Sequence, residues 1–271
     1  VVAHAGHSFK DVQAVGIGSP GVIDSASGTV VKWGNYDWVR VPLAGAVADL
    51  TGKRVYFTND ANAAALGEAK FGVGSEYRDC ILVTLGTGVG GGIVLGGKLF
   101  EGFRSAGGEV GHMVIKTGGR PCGCGRQGCF EQYSSATALI RDTRAAMEKD
   151  KDSLLWELAG GSLQKVDGGT AFKAARFGDE TAKRVVDDYI FCLAEGIANL
   201  VNIFRPQAVM LGGGISNEGD ALLKPLKETV NSLIYVNTEY APLDIVRAKL
   251  GNDAGIYGAY AYALQREKEA Q

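Results

Sequence analysis

Three of the chain's five cysteines, Cys122, Cys124 and Cys129, fall within the eight residues CGCGRQGC, and His112 precedes them in GGEVGH. Thiolates spaced by glycines, with one imidazole, match the donor set of a tetrahedral zinc site. Four protein ligands leave no open position, which marks a structural rather than a catalytic ion. Two other readings stay open on the residues alone. One is three core cysteines in a glycine-rich loop; the other is a redox pair, although no C-x-x-C spacing occurs. Cys80 and Cys192 lie in apolar runs and are read as core. Glu109 and Glu131, in GGEVGH and GCFEQ, flank the cluster. Carboxylates on a metal-pinned loop suit paired hydrogen bonds to vicinal sugar hydroxyls; solvated surface acids are the plainer alternative.

Another carboxylate, Asp60 in FTNDANAAALGE, stands where a strand passes into a strong helix. It is either a helix N-cap or a base that takes a proton from a substrate hydroxyl. LVTLGTGVGGGIVLGG reads as strand, Gly/Thr turn and strand, with the Thr84 and Thr87 hydroxyls and backbone N–H groups at the tip. Such a turn can cradle phosphates without the lysine of a P-loop, and a plain hairpin is the alternative. VMLGGGIS repeats the scheme, a strand opening into glycines ahead of a helix.

These residues need a scaffold, and the patterning supplies strands at 13–18, 54–59, 80–86, 91–96, 207–213 and 244–250. Helices are expected at 43–50, 61–71, 130–148, 179–203, 218–232 and 253–268, which makes the chain α/β with a helix-rich middle and a hinge near 72–79. At 271 residues and 46% hydrophobic, two domains are expected. A net charge of −2 offers no field to hold a polyanion, so nucleic acid is not an expected partner. No apolar run reaches the ~18 residues of a membrane span, and VVAHAGHSFK has no charged-then-apolar leader pattern. A soluble cytoplasmic protein without membrane attachment is the expectation. Glycine is the compositional outlier, 40 residues against 6 prolines, clustered at strand ends where backbone must approach a ligand.

In this order and spacing, GIGSPGVID, FTNDANAAALGE, LGTGVGGGIV, SAGGEVGHM and CGCGRQGCFEQYSS resemble the ROK family of sugar kinases and repressors, and most of all its ATP-dependent glucokinases. The likeness runs from about residue 13 to NDAGIYGAY. It implies a two-lobed, actin-like (ribonuclease H-like) ATPase fold with sugar and ATP in an interlobe cleft. The small lobe would be 1–73 plus 254–271, and the large lobe 74–253 with the zinc-binding loop. By the same resemblance Asp60 is the general base toward the 6-hydroxyl of a hexose. Asn59, Glu109, His112, Glu131, Gly21 and Asn35 hold the sugar. Gly86, Thr87 and Gly88 form a phosphate loop, and Gly212, Gly213 and Gly214 an adenosine loop. His112 serves both Zn2+ and sugar, Mg2+ accompanies ATP, and the protein forms a homodimer. Glucose leads among the hexoses, with N-acetylmannosamine, N-acetylglucosamine, mannose and fructose as alternatives. Family kinases carry an Asp-x-Gly-Gly-Thr phosphate motif some tens of residues ahead of GIGSPG, and this sequence has none. The N-terminal strands are therefore expected to be missing from this chain, as in a fragment, a truncated start or a protein lacking that loop. A sugar-sensing repressor fragment and an inactive sugar-binding protein are the alternative functions.

Overall fold

A computed structural model of the chain describes residues 2–33 and 37–269. In chain order, β1 (Ala14–Ser19), β2 (Val22–Asp24), β3 (Thr29–Trp33) and β4 (Trp38–Val41) precede α1 (Leu43–Thr51), β5 (Arg54–Asn59) and α2 (Asp60–Phe71). Then come β6 (Cys80–Leu85), β7 (Val89–Leu95), β8 (Lys98–Phe100), α3 (Glu131–Ser134), α4 (Ala136–Lys149), α5 (Leu155–Leu158), α6 (Thr170–Arg176) and α7 (Glu180–Phe204). β9 (Ala208–Gly212), α8 (Asp220–Leu233), β10 (Asp244–Arg247) and α9 (Ala254–Glu269) complete the order. Contacts divide the chain into two compact units, Val1–Asp79 with Gly92–Gly108 and Lys249–Gln271, and Cys80–Gly91 with Glu109–Ala248.

In the first unit β1 and β5 run parallel in the register Ala14↔Arg54 to Ser19↔Asn59, so both strands end at one edge. α2 and α9 pack directly on each other. A Cβ added to Gly258 would fall 1.6 Å from the Ala63 carbonyl oxygen, so only glycine allows the two backbones this close. This explains why α2, DANAAALGEAKF, lacks an apolar stripe: it is buried on most sides and packs by being small. β2, β3 and β4 form an antiparallel sheet absent from the sequence reading. Each strand is only three to five residues long and β2 slips register between Val22 and Ile23, which breaks the two-residue period. Ile23, Val30, Ala44 and Phe57 make its core, with Trp33 and Trp38 edge to face above it. The sequence reading left Gly92–Gly108 in the large lobe, but this segment packs with the first unit. The Lys70 ammonium donates to the Gly97 carbonyl (2.8 Å), and Gly96 N–H to Asp79 (2.6 Å). The boundaries near 73 and 253 accordingly fall at 79 and 248.

In the second unit β9 lies parallel to both β6 and β10. Every residue of β9 is buried, the usual fate of parallel strands covered on both faces, and this is why AVMLG, and CILVTL apart from Thr84, read as continuous apolar runs. Asp179 caps the long α7, accepting from Ala182 N–H (2.6 Å), and also holds Leu154 N–H (2.7 Å) and the Ser153 hydroxyl (2.9 Å). The single helix expected at 130–148 is two. Ser135 stands extended between α3 and α4 and caps α4 by accepting from Ala138 N–H at 3.0 Å. α8 begins at Asp220 rather than 218, because Gly214–Glu218 winds as a 3-10 turn.

Candidate metal centre and active-site residues

The second unit carries the cysteines. His112 ends a 3-10 turn, Val110–His112, and its N–H donates to the carbonyl of the exposed Glu109 (3.1 Å). The following segment doubles back. Phe130 N–H donates to the Met113 carbonyl (2.7 Å), and Val114 bridges Cys129. Gly128 makes the return possible at φ +82, where any Cβ would meet the Lys116 carbonyl oxygen at 1.8 Å. Gly125 N–H closes back on the Cys122 carbonyl (3.0 Å), which tightens the tip. The loop gathers four donors. The ligand atoms of His112, Cys122, Cys124 and Cys129 all lie within 4.8 Å of one another. Cys124 and Cys129 sulfurs are 3.6 Å apart, and Cys122 Sγ is 3.7 Å from His112 Nδ1. A tetrahedron with metal–sulfur bonds of ~2.3 Å has edges of ~3.8 Å, so the spacing fits one cation.

The acidities of two of the thiols are pulled in opposite directions. Burial, reinforced by the neighbouring thiols, pushes Cys129 up to about 12, while the Arg126 backbone N–H draws Cys124 down. A thiol as reluctant as Cys129 becomes a ligand only when a cation displaces its proton. His112 presents Nδ1 to the thiols, so Nε2 is the ring nitrogen left for another partner.

Glu131, the first residue of α3, connects this cluster to the Gly86–Gly88 turn. Its Oε1 lies 3.9 Å from Cys122 Sγ, and Oε2 accepts Val89 N–H at 3.3 Å. A Cβ on Gly88 would come 2.2 Å from that carboxylate oxygen, so glycine there is what admits Glu131. The turn is anchored by its carbonyls. Ala136 N–H donates to Gly86 O (2.8 Å) and the Thr137 hydroxyl to Thr87 O (2.8 Å). Thr87 is exposed, whereas the Thr84 hydroxyl is not at a free tip: it accepts Gly90 N–H within the hairpin (3.2 Å). Gly212–Gly214 follows the neighbouring strand, with Thr84 paired to Gly212. Both glycine loops therefore leave the carboxyl edge of one parallel pair, where open α/β sheets bind ligands. Gly213, at φ +81, sits over the Leu85 backbone, and its carbonyl accepts the Ser216 hydroxyl (2.7 Å).

The first unit repeats the logic at the carboxyl edge of β1 and β5, where Gly21 and Asp60 stand. The helix cap is Asn59, not Asp60. Asn59 Oδ1 accepts Ala61 N–H (2.9 Å) and Asn62 N–H (3.3 Å), and Nδ2 donates to the Gly21 carbonyl (3.2 Å). Asp60 is exposed and takes only a local contact from Ala61 N–H (2.9 Å) among the described hydrogen bonds. Its carboxylate is not consumed by capping. Asn35 lies outside the described residues. Sequence reasoning missed Ser135, which caps α4, and Thr137, whose hydroxyl anchors the Gly86–Gly88 turn. The serine-rich SSAT ahead of an apolar helix was the available signal.

The chain has close likenesses among known proteins. It is 43% identical over 261 residues to the Glucokinase of Thermotoga maritima, covering 95% of this chain and 81% of that protein. The structure superposes with a TM-score of 0.83 on a ROK family glucokinase from Streptomyces griseus, solved in complex with glucose and AMPPNP, at 38% identity over 97% of this chain and 84% of that one. It is also 32% identical over 265 residues to the Xylose repressor of Caldicellulosiruptor bescii, spanning 97% of this chain and 65% of that protein. The fold is the α/β, actin-like ATPase fold of the glucokinases. Among the described residues no helix is long and apolar enough to cross a membrane. With the cysteine cluster, the paired glycine loops and the Asn59–Asp60 strand end all in place, and with the ROK family model matching residues 1–266, the chain belongs to the ROK family.

Proposed function

We propose that this chain belongs to an ATP-dependent hexose kinase that phosphorylates glucose at its 6-hydroxyl. The observation that carries the reading is the division of labour at the end of β5. Asn59 takes the helix cap and leaves the adjacent Asp60 carboxylate exposed, in a chain 43% identical to a glucokinase. Asp60 accepts the 6-hydroxyl proton as that oxygen attacks the γ-phosphorus. The bond from the γ-phosphorus to the β,γ-bridging oxygen breaks, ADP leaves, and Asp60 returns its proton to water. Asn59 keeps its cap and its bond to Gly21, and its second amide hydrogen is available for a sugar hydroxyl. Glu109, Glu131 and Nε2 of His112 hold the other hydroxyls. Gly86, Thr87 and Gly88 receive the terminal phosphates, and Gly212, Gly213 and Gly214 the adenosine.

His112, Cys122, Cys124 and Cys129 would hold zinc, whose contribution would be rigidity at the imidazole and at the start of α3 rather than chemistry on the substrate. Magnesium bound with ATP supplies charge neutralisation at the phosphates. The protein works as a cytoplasmic homodimer. Likeness to a xylose repressor supports a second reading, a sugar-sensing regulator that binds without turnover. Incubation of the purified protein with glucose and ATP separates the two. Glucose-dependent ADP and glucose 6-phosphate are expected; glucose binding by calorimetry with no ADP would leave the regulator.

A further inference from the structure

Glu101 has no part in the roles above, yet four side chains of the first unit converge on its carboxylate. It follows β8, and its side chain is 10% exposed. Oε1 accepts the hydroxyls of Ser25 (2.8 Å) and Thr58 (3.0 Å). Oε2 accepts the Tyr262 hydroxyl (3.0 Å) and Arg266 Nη2 (2.7 Å), both from α9. Arg266 supplies the countercharge that a carboxylate removed from water requires. Packing alone does not account for this group, because an apolar side chain of similar volume would fill the space without the cost of desolvating an ion pair.

The two hydroxyls stand at telling places. Thr58 is fully buried and immediately precedes Asn59 and Asp60. Ser25 immediately follows β2, which begins next to Gly21. The segment around Glu101 grips Ser25 a second time, since Ser25 N–H donates to the Ser105 hydroxyl (3.3 Å), and Gly107 N–H ties the segment back to the Glu101 carbonyl (2.9 Å). Asn59 Nδ2 then joins the two arms through the Gly21 carbonyl. We propose that Glu101 is a positioning residue: fixed from behind by Tyr262 and Arg266, it holds Thr58 and Ser25 and so sets the Asp60 carboxylate and the Gly21 turn relative to each other. Its kinetic consequence rests on the kinase reading above; its structural consequence does not.

The test pairs two readouts on Glu101→Ala, Glu101→Gln, Thr58→Val and Ser25→Ala. In Glu101→Ala, amide hydrogen exchange rises in 22–25 and 58–62 and is unchanged in the cysteine loop. kcat/KM for glucose falls about a hundredfold, the cost of misplacing a reacting group by ~1 Å, while KM for ATP holds. Glu101→Gln, which keeps an acceptor for both hydroxyls, recovers most of the loss. Where Glu101→Ala does not fold, Thr58→Val and Ser25→Ala each loosen only their own arm. A folded Glu101→Ala protein with wild-type exchange in both segments and wild-type kinetic constants overturns the proposal. Should the wild-type protein make no ADP, the kinase reading fails, and the exchange pattern alone decides whether Glu101 positions the two arms.

Discussion

Replacing the two neighbours at the end of β5 one at a time separates stability from chemistry. Asn59→Ala removes the acceptor for two helix N–H groups and the donor to the Gly21 carbonyl. Loss of an N-cap costs about 1 kcal/mol. The partly buried bond to Gly21 adds about 1 kcal/mol. Together these give ~2 kcal/mol, roughly a thirtyfold shift toward the unfolded state. Asp60→Asn leaves the cap and shape intact and removes one exposed charge from the first helical turn, a change of about 0.3–1 kcal/mol. Its effect on turnover is large, because an amide cannot accept the hydroxyl proton: kcat falls ~10²–10⁴-fold while glucose binding persists. Urea unfolding followed by tryptophan fluorescence measures the first quantity, and a coupled ADP assay with calorimetric glucose titration measures the second. The reasoning is refuted if Asp60→Asn destabilises the protein as much as Asn59→Ala does, or if it retains wild-type turnover.

Three further outcomes follow from the geometry. Metal analysis of purified protein is expected to find one zinc per chain; Cys124→Ser, or prolonged chelation, removes it and lowers both the melting temperature and glucose affinity. Gly88→Ala places a methyl 2.2 Å from a Glu131 oxygen. It is expected to raise KM for glucose about tenfold by displacing that carboxylate, and calorimetry would show the lost affinity directly. Burial alone would raise the Asp179 carboxyl, but the N–H groups of Ala182 and Leu154 and the Ser153 hydroxyl hold it below its usual value. A depressed folded-state value contributes stability that is fully present above the unfolded carboxyl pKa of ~3.9 and is lost as pH falls through the folded value. Asp179→Asn should therefore destabilise the protein at neutral pH and flatten that part of the acid-unfolding curve.

The sequence was most informative where one chemistry demands one residue type. Four metal donors at fixed spacing, a carboxylate at a strand end and glycines after apolar runs were legible before any coordinates. Buried strands such as CILVTL were legible too, because both faces are covered and the run is apolar at every position but Thr84. Three kinds of information were not. β2, β3 and β4 are too short, and too interrupted by polar residues and a register slip, for a two-residue period to show. The break at Ser135 depends on a side chain choosing to cap rather than continue a helix, a choice local propensity leaves nearly balanced. The identity of the cap at β5 could not be read either, since Asn and Asp are equally good N-caps. Only the Gly21 carbonyl, brought alongside by the parallel pairing of β1 and β5, selects Asn59, which can donate to it where a carboxylate cannot. Glu101 shows the same division. Nothing near it in sequence marks it out, because its four partners come from three distant stretches of chain that only the folded unit brings to one carboxylate.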